Sequence, residues 1–307
     1  MKLDYSKLSS NIELFAKQVV EGFITGKHKS PYHGFSVEFA EHRLYNSGES
    51  TKNIDWKLYA RTGKLFKKKY QEETNLRCQL IIDGSSSMQY PISETININN
   101  PNKLLFAVYA SAVMINILKK QRDAVGLSVF TNKLEVHTPS KTTKRHHRIL
   151  YNELDNILSQ NAINEPKLTE SNSVIHQISE LLNKRSLVII FTDFMHPKQT
   201  IEEQFEAYKH LKYNKHEVIL FHLKEPQTES NLNFDNRSYK FIDLESKEEI
   251  NLNPHIYKKK YKEQTNRYIQ ELKLKCFQYK IDLIEVDINK GFETILTSYL
   301  LKRQKMF

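Results

Sequence analysis

The sequence predicts an α/β fold: a mostly parallel, doubly wound sheet, preceded by an N-terminal helix and a small irregular, partly β subdomain. Three observations carry this. Cys78-Gln-Leu-Ile-Ile-Asp83 and Ser186-Leu-Val-Ile-Ile-Phe-Thr-Asp193 are short, almost wholly apolar runs ending in polar turns. Such runs read as strands covered on both faces. From residue 77 onward, runs of this kind alternate with helical patterns, the signature of strand–helix–strand units. The segment from Gly34 to Tyr70 has only short periods and is rich in aromatic and basic residues. Two regions follow: residues 1–74, an N-terminal helix and aromatic-basic block packing on the main domain, and residues 75–307, the α/β domain.

The elements are justified in order. Residues 10–25 form an amphipathic helix, with Ser9 or Ser10 as cap and Ile12, Phe15, Val19, Val20 and Phe23 on one face. Strand 78–83 is followed by a helix opening at Asn100-Pro101 and running to Lys120, with proline in its first turn. Its face carries Leu104, Leu105, Val108, Ala112 and Ile115. A strand spans 123–130, with 133–137 as hairpin partner, and helices cover about 146–159 and 173–184. After strand 186–193 come a helix at 198–213, a strand at 216–223, a polar loop at 225–238 and a short strand at 239–243. A helix at 255–276, a strand at 280–286 and a helix at 291–303 close the chain.

Composition narrows the function. The 307 residues carry 46 Lys+Arg against 36 Asp+Glu, a formal charge of +10, and 39% are hydrophobic. That is enough apolar material for a core without disulfides. Two cysteines, Cys78 and Cys276, exclude a disulfide scaffold and cysteine-based zinc or iron–sulfur motifs and fit a reducing compartment. No run reaches the roughly 18–20 apolar residues a membrane span needs, and no signal core follows the basic N-terminus. A soluble, cytoplasmic protein is expected. The eight glycines form no G-x-G-x-x-G, there is no H-E-x-x-H, and Gly22 to Lys27 is one residue short of a Walker A loop and follows a helix. Gly26 reads as a helix C-cap.

Functional groups of such sheets collect beyond the carboxyl ends of the strands. Two ends stand out there: Asp83-Gly-Ser85-Ser-Ser87, of the form D-x-S-x-S, and Thr192-Asp193. A carboxylate and alternating hydroxyls converge if the loop curls, and hard oxygen donors suit Mg²⁺ or Mn²⁺. Few protein ligands leave a position for water or for an acidic group of a partner. The opposing reading is a polar turn capping the next helix.

This constellation resembles a von Willebrand factor type A domain, whose metal-ion-dependent adhesion site uses D-x-S-x-S, a middle-loop Thr and an Asp at a later strand end. Upstream, Ser36-Val-Glu-Phe39, Arg43-Leu-Tyr45, Gly48-Glu49, Asn53-Ile-Asp-Trp56, Ala60-Arg61 and the stretch from Lys67 to Glu73 resemble the bacterial family called domain of unknown function 58. The resemblance runs from about residue 24 to 225. It implies Asp83, Ser85, Ser87 and Asp193 as metal ligands. Counting back from Ser186 puts Asn172 or a neighbouring serine, within Leu168-Thr-Glu-Ser-Asn-Ser173, where the Thr is expected. It also implies a non-enzymatic protein-binding role, with a MoxR-type AAA+ ATPase or its client as partner, in assembly or maturation of complexes.

Other residues have plainer readings. Trp56 is expected as a buried anchor, and Asp55 and Arg61 as an ion pair. The basic run around His146-His147, with Lys141, Lys144, Arg145 and Arg148, reads as a solvated face. Such clusters leave nucleic-acid binding as the alternative function, although no nucleic-acid motif accompanies them. Ser85 and Ser87 lack a G-x-S-x-G elbow and an assignable His base, which argues against a hydrolase.

Overall fold

A computed structural model describes residues 11–26, 41–45, 51, 54–69, 76–93, 95–160, 171–183, 185–194 and 200–306. The chain divides into two compact units, Ile24–Asn75 and a larger one made of Met1–Phe23 with Leu76–Phe307.

Helix α1 (Ile12–Gly26) begins in the larger unit, where Ile12, Phe15, Ala16, Val19 and Val20 are buried, so the apolar stripe read from the sequence is its packed face. Phe15 meets Tyr109 and Phe292 edge to face, and Glu13 pairs with Lys119 at 2.9 Å.

The smaller unit holds strands β1 (Glu41–Leu44) and β2 (Phe66–Lys69), an antiparallel pair flanking helix α2 (Trp56–Thr62). Asp55 caps α2, accepting from the backbone N–H groups of Lys57 and Leu58 at 3.0 Å each, and Gly63 ends it at φ 65°. That left-handed conformation is one glycine adopts without a Cβ penalty. Trp56 is 61% exposed, packing edge to face on Tyr59, which corrects its reading as a core anchor. It is the first residue of a helix of under two turns, none of whose residues is buried. Ser36–Phe39, Gly48, Glu49 and residues 70–75 lie outside the described residues.

The larger unit is built on a six-stranded sheet. Its strands are β3 (Arg77–Asp83), β4 (Ala124–Phe130), β5 (Leu134–Lys141), β6 (Leu187–Thr192), β7 (Glu217–Lys224) and β10 (Asp282–Asp287), in the order β10-β7-β6-β3-β4-β5. All neighbours are parallel except β4 and β5. The mostly parallel α/β reading therefore holds. Helices α3 (Lys103–Lys120), α4 (Lys144–Gln160), α5 (Ser171–Leu181), α6 (Ile201–Tyr213), α7 (Pro254–Gln278) and α8 (Glu293–Met306) complete it. Leu80, Ile81, Ile82 and all of Leu187–Phe191 are fully buried, as runs without polar alternation require.

Three details differ from the sequence reading. Asn102 rather than a proline turn starts α3, its side chain accepting from Leu105 N–H at 2.8 Å, and Pro101 precedes the cap. β5 extends to Lys141 because it is an edge strand: Pro139 sits at a bulge where the register against β4 shifts between Val125 and Leu127. The strand at 239–242 does not join the main sheet. As β8 (Tyr239–Ile242) it pairs with β9 (Glu249–Leu252), an unforeseen antiparallel hairpin inserted between β7 and α7.

Candidate functional site

β3 and β6 are hydrogen-bonded neighbours, Ile82 facing Phe191, so their carboxyl ends deliver Asp83 and Thr192-Asp193 side by side. Gly84 follows, its N–H donating to Phe130 carbonyl at 2.7 Å, where a Cβ would lie only 3.1 Å from that oxygen. The chain thus turns tightly across the end of β4 into a short 3₁₀ turn over Ser86–Gln89.

Four of the five residues singled out from the sequence meet in one network. Asp83 Oδ2 accepts from the Thr192 hydroxyl at 2.7 Å and Oδ1 from Ser85 N–H at 2.9 Å. The Ser85 and Ser87 hydroxyls lie 3.0 Å apart, and Ser87 Oγ donates to Asp193 Oδ1 at 3.2 Å. Asn172 is not among them. Its Nδ2 donates to the Glu203 carbonyl at 2.5 Å and its Oδ1 is buried without a partner, so it ties α5 to α6 instead. Leu168 to Glu170 lie outside the described residues.

Three further residues belong to the site and were not read from the sequence. Lys103, on the first turn of α3, is 1% exposed. Its ammonium lies 2.9 Å from Asp193 Oδ2 and also binds Glu229. Burial alone would drive its pKa down, but Asp193 and Glu229 reverse this and hold it above the ordinary lysine value, so the amine stays charged. Glu229 is positioned by a turn over Pro226–Ser230, in which Glu225 accepts from the N–H groups of Gln227 and Thr228 at 3.0 and 2.7 Å. Glu245 comes from the connection between β8 and β9 and is 7% exposed. Burial, then the charges of Asp193 and Asp83, push its carboxyl up to about 8, against a hydrogen bond from Ser87 that favours the charged form.

These groups edge a cavity of about 610 Å³. Its walls include Tyr90, Phe234 and Tyr268, and its polar edge includes Ser87, His222 and Glu245. His222 is buried, its Nδ1 lacks a partner, and burial followed by Lys224 brings its pKa down to about 3, so it is neutral. Among the described residues no histidine hydrogen-bonds Ser85 or Ser87, and no three His, Cys, Asp or Glu side chains are placed to hold a metal by themselves. An ion here would rest on serine hydroxyls as much as on carboxylates.

The basic run is not one solvated face. His146 and His147 are buried, His146 Nε2 lying 2.9 Å from Val125 carbonyl, while Lys141, Lys144, Arg145 and Arg148 are exposed. Among the described residues no helix is long and apolar enough to cross a membrane.

The chain is similar to two solved structures from Bacteroides. One is a conserved hypothetical protein BatB of B. thetaiotaomicron, at 14% identity, 75% of this chain, 99% of that one and a TM-score of 0.47. The other is an aerotolerance-related membrane protein of B. fragilis, at 14% identity, 74% of this chain, 99% of that one and a TM-score of 0.46. Uncharacterized proteins of Mycobacterium tuberculosis and Mycobacterium bovis are 22% identical over 198 residues, 64% of this chain. The chain spans 60% of the length of these relatives. A family model described as protein of unknown function DUF58 matches residues 41–270, three-quarters of the chain, and the chain belongs to that family.

Proposed function

We propose that the chain is a non-enzymatic protein-binding module. In this reading Asp83, Ser85, Ser87 and Asp193 hold Mg²⁺ or Mn²⁺ at the carboxyl edge of the sheet, and an acidic side chain of a partner binds there. The observation that carries the reading is the junction of the two strand ends, Ser87 Oγ to Asp193 Oδ1 at 3.2 Å. The donors are oxygen atoms of the kind a small hard cation takes, and among the described residues no three acidic or imidazole side chains are placed to hold one by themselves, so serine hydroxyls would have to share the ion. Two hydroxyls and Asp193 Oδ1 face one another, and the buried Glu245 Oε1 has no hydrogen-bond partner. The ion supplies an open coordination position for a carboxylate.

The chain's own residues do the rest. Thr192 and Ser85 N–H fix both oxygens of Asp83, and Lys103 fixes the outer oxygen of Asp193, which leaves Oδ1 turned toward Ser87. We read the role as non-enzymatic because the serine hydroxyls bond to each other and to Asp193, and among the described residues no histidine is hydrogen-bonded to either. The resemblance to von Willebrand factor type A domains and to a family often encoded beside MoxR-type AAA+ ATPases supports such an ATPase, or its client, as partner.

The test is pull-down and titration of a MoxR-type ATPase with the full chain, in Mg²⁺, in EDTA, and with Asp83→Ala. Binding that needs the ion and Asp83 is expected. Equal binding in all three conditions overturns the metal mechanism.

A further inference from the structure

We infer that the cavity beside the strand ends is a binding site for an uncharged aromatic small molecule carrying an N–H or O–H group, which donates to the imidazole of His222. This goes beyond the partner-binding reading and needs no cation.

Strand β7 brings His222 to the cavity, which it lines. Its register partners are Thr192 on β6 and Glu285 on β10. Side chains alternate along a strand, so it lies on the face opposite Phe221, which stacks on Phe191. His222 is 6% exposed, and its Nδ1 has no hydrogen-bond partner. Its ring meets Phe194 edge to face, with centroids 5.3 Å apart. Burial keeps the ring neutral, and a neutral imidazole has one acceptor nitrogen. A buried polar group without a partner is a cost that a bound donor removes.

Much of the remaining lining is aromatic, and its hydroxyls are in use. The Tyr268 hydroxyl donates to the Phe194 carbonyl at 3.0 Å, and the Tyr90 hydroxyl is bonded to Thr228. Phe234 packs edge to face on Phe241, with centroids 5.4 Å apart. The volume of about 610 Å³ lies within the ~300–1,000 Å³ of small-molecule sites.

The charges of the lining are answered within the protein. Lys103 holds Asp193 and Glu229, and Lys224 pairs with Glu285 at 2.5 Å. Asp243 Oδ1 accepts from the N–H groups of Glu245 and Ser246 at 2.8 and 2.7 Å. Glu245 is mostly uncharged at pH 7, since burial raises its carboxyl to about 8. A charged ligand would leave water without gaining a counter-ion, which an apolar cavity penalises. An uncharged ring with one donor avoids that penalty and satisfies His222.

The experiment is calorimetric titration of the full chain, in EDTA, with three probes that share an indole ring and an arm of the same length: tryptophol, indoleacetate and tryptamine. Wild type is compared with His222→Phe and with two substitutions that fill the cavity from α7, Ile269→Trp and Thr265→Phe. Urea midpoints confirm that each variant is folded. Wild type binds tryptophol, and binds the two charged probes about ten-fold or more weakly. His222→Phe binds tryptophol about ten-fold more weakly, and the filled variants lose it. No saturable binding of tryptophol by wild type, or equal affinity for all three probes, overturns the site. Unchanged affinity in His222→Phe overturns the role of His222, and unchanged affinity in the folded filled variants puts the probe outside the cavity and overturns the proposal. With divalent ions removed by EDTA, each of these results leaves the cation reading where it stood.

Discussion

Replacing Lys103 by methionine removes the ammonium that pairs with both Asp193 and Glu229, while keeping the length and apolar stem of the side chain. At 2.9 Å, and an effective dielectric constant near 20, the attraction to Asp193 alone is about 6 kcal/mol before desolvation is subtracted. The pair is shielded from water: the Lys103, Asp193 and Glu229 side chains are 1%, 0% and 16% exposed. Removing one partner of a buried pair costs about 3–5 kcal/mol, because the other charge stays buried and unpaired. With an m-value near the upper end of the ~1–3 kcal/mol/M range in urea, a loss of ~4 kcal/mol moves the unfolding midpoint down by roughly 1.3 M. Urea denaturation of wild type, Lys103→Met, Glu229→Gln and the double variant is the assay. The double variant carries one orphaned carboxylate fewer, so it is less destabilised than the two single effects added together, by about 1–2 kcal/mol. A Lys103→Met midpoint within 0.3 M of wild type (under ~1 kcal/mol), or strict additivity in the cycle, refutes the assignment of Lys103 as the site's structural cation.

Two other outcomes follow from the fold. A Cβ at Gly126 on β4 would lie 2.3 Å from Gln79 Oε1 and 2.5 and 2.9 Å from the Thr138 carbonyl and Ser140 nitrogen of β5. Gly126→Ala therefore pushes the edge strand away and costs about 1–3 kcal/mol, read as a lower thermal midpoint. Burial alone would raise the pKa of Glu285, but hydrogen bonds from Lys224 and Lys273, each at 2.5 Å, bring it down to about 2 from 4.5. A depressed carboxylate stabilises the fold above its unfolded value and loses that contribution as pH falls through the window from 4.5 to 2. Glu285→Gln should thus be less stable than wild type at pH 7, with the gap closing toward pH 2; a gap that does not change with pH contradicts this.

The sheet was legible because its central strands are continuous apolar runs, and only burial on both faces explains Leu187–Phe191. Asp83 and Asp193 were legible for a related reason: a carboxylate at the end of such a run lies where two parallel strands must finish together. What escaped the sequence reading is what depends on distant partners. Glu249-Ile-Asn-Leu252 is too short and polar to announce a strand, and it becomes one by pairing with Tyr239–Ile242. Pro139 and its polar neighbours hid the length of β5, which a bulge at an edge tolerates. The position of Asn172 was obtained by counting residues, and counting cannot see that its amide is held by Glu203.

Lys103 shows the same limit most sharply. A lysine one residue after a helix cap reads as solvated, since a long cation in the first turn faces an unfavourable helix dipole. Nothing local buries it. The burial comes from two carboxylates, at 193 and 229, that lie 90 and 126 residues away in the chain. The same strand-end geometry that gathers Asp83 and Asp193 produces a surplus of negative charge, and the fold must meet it. Lys103 meets part of it at Asp193 Oδ2, while Asp193 Oδ1 accepts from Ser87. The exchangeable cation proposed for this site would add to that compensation from the side of Ser87.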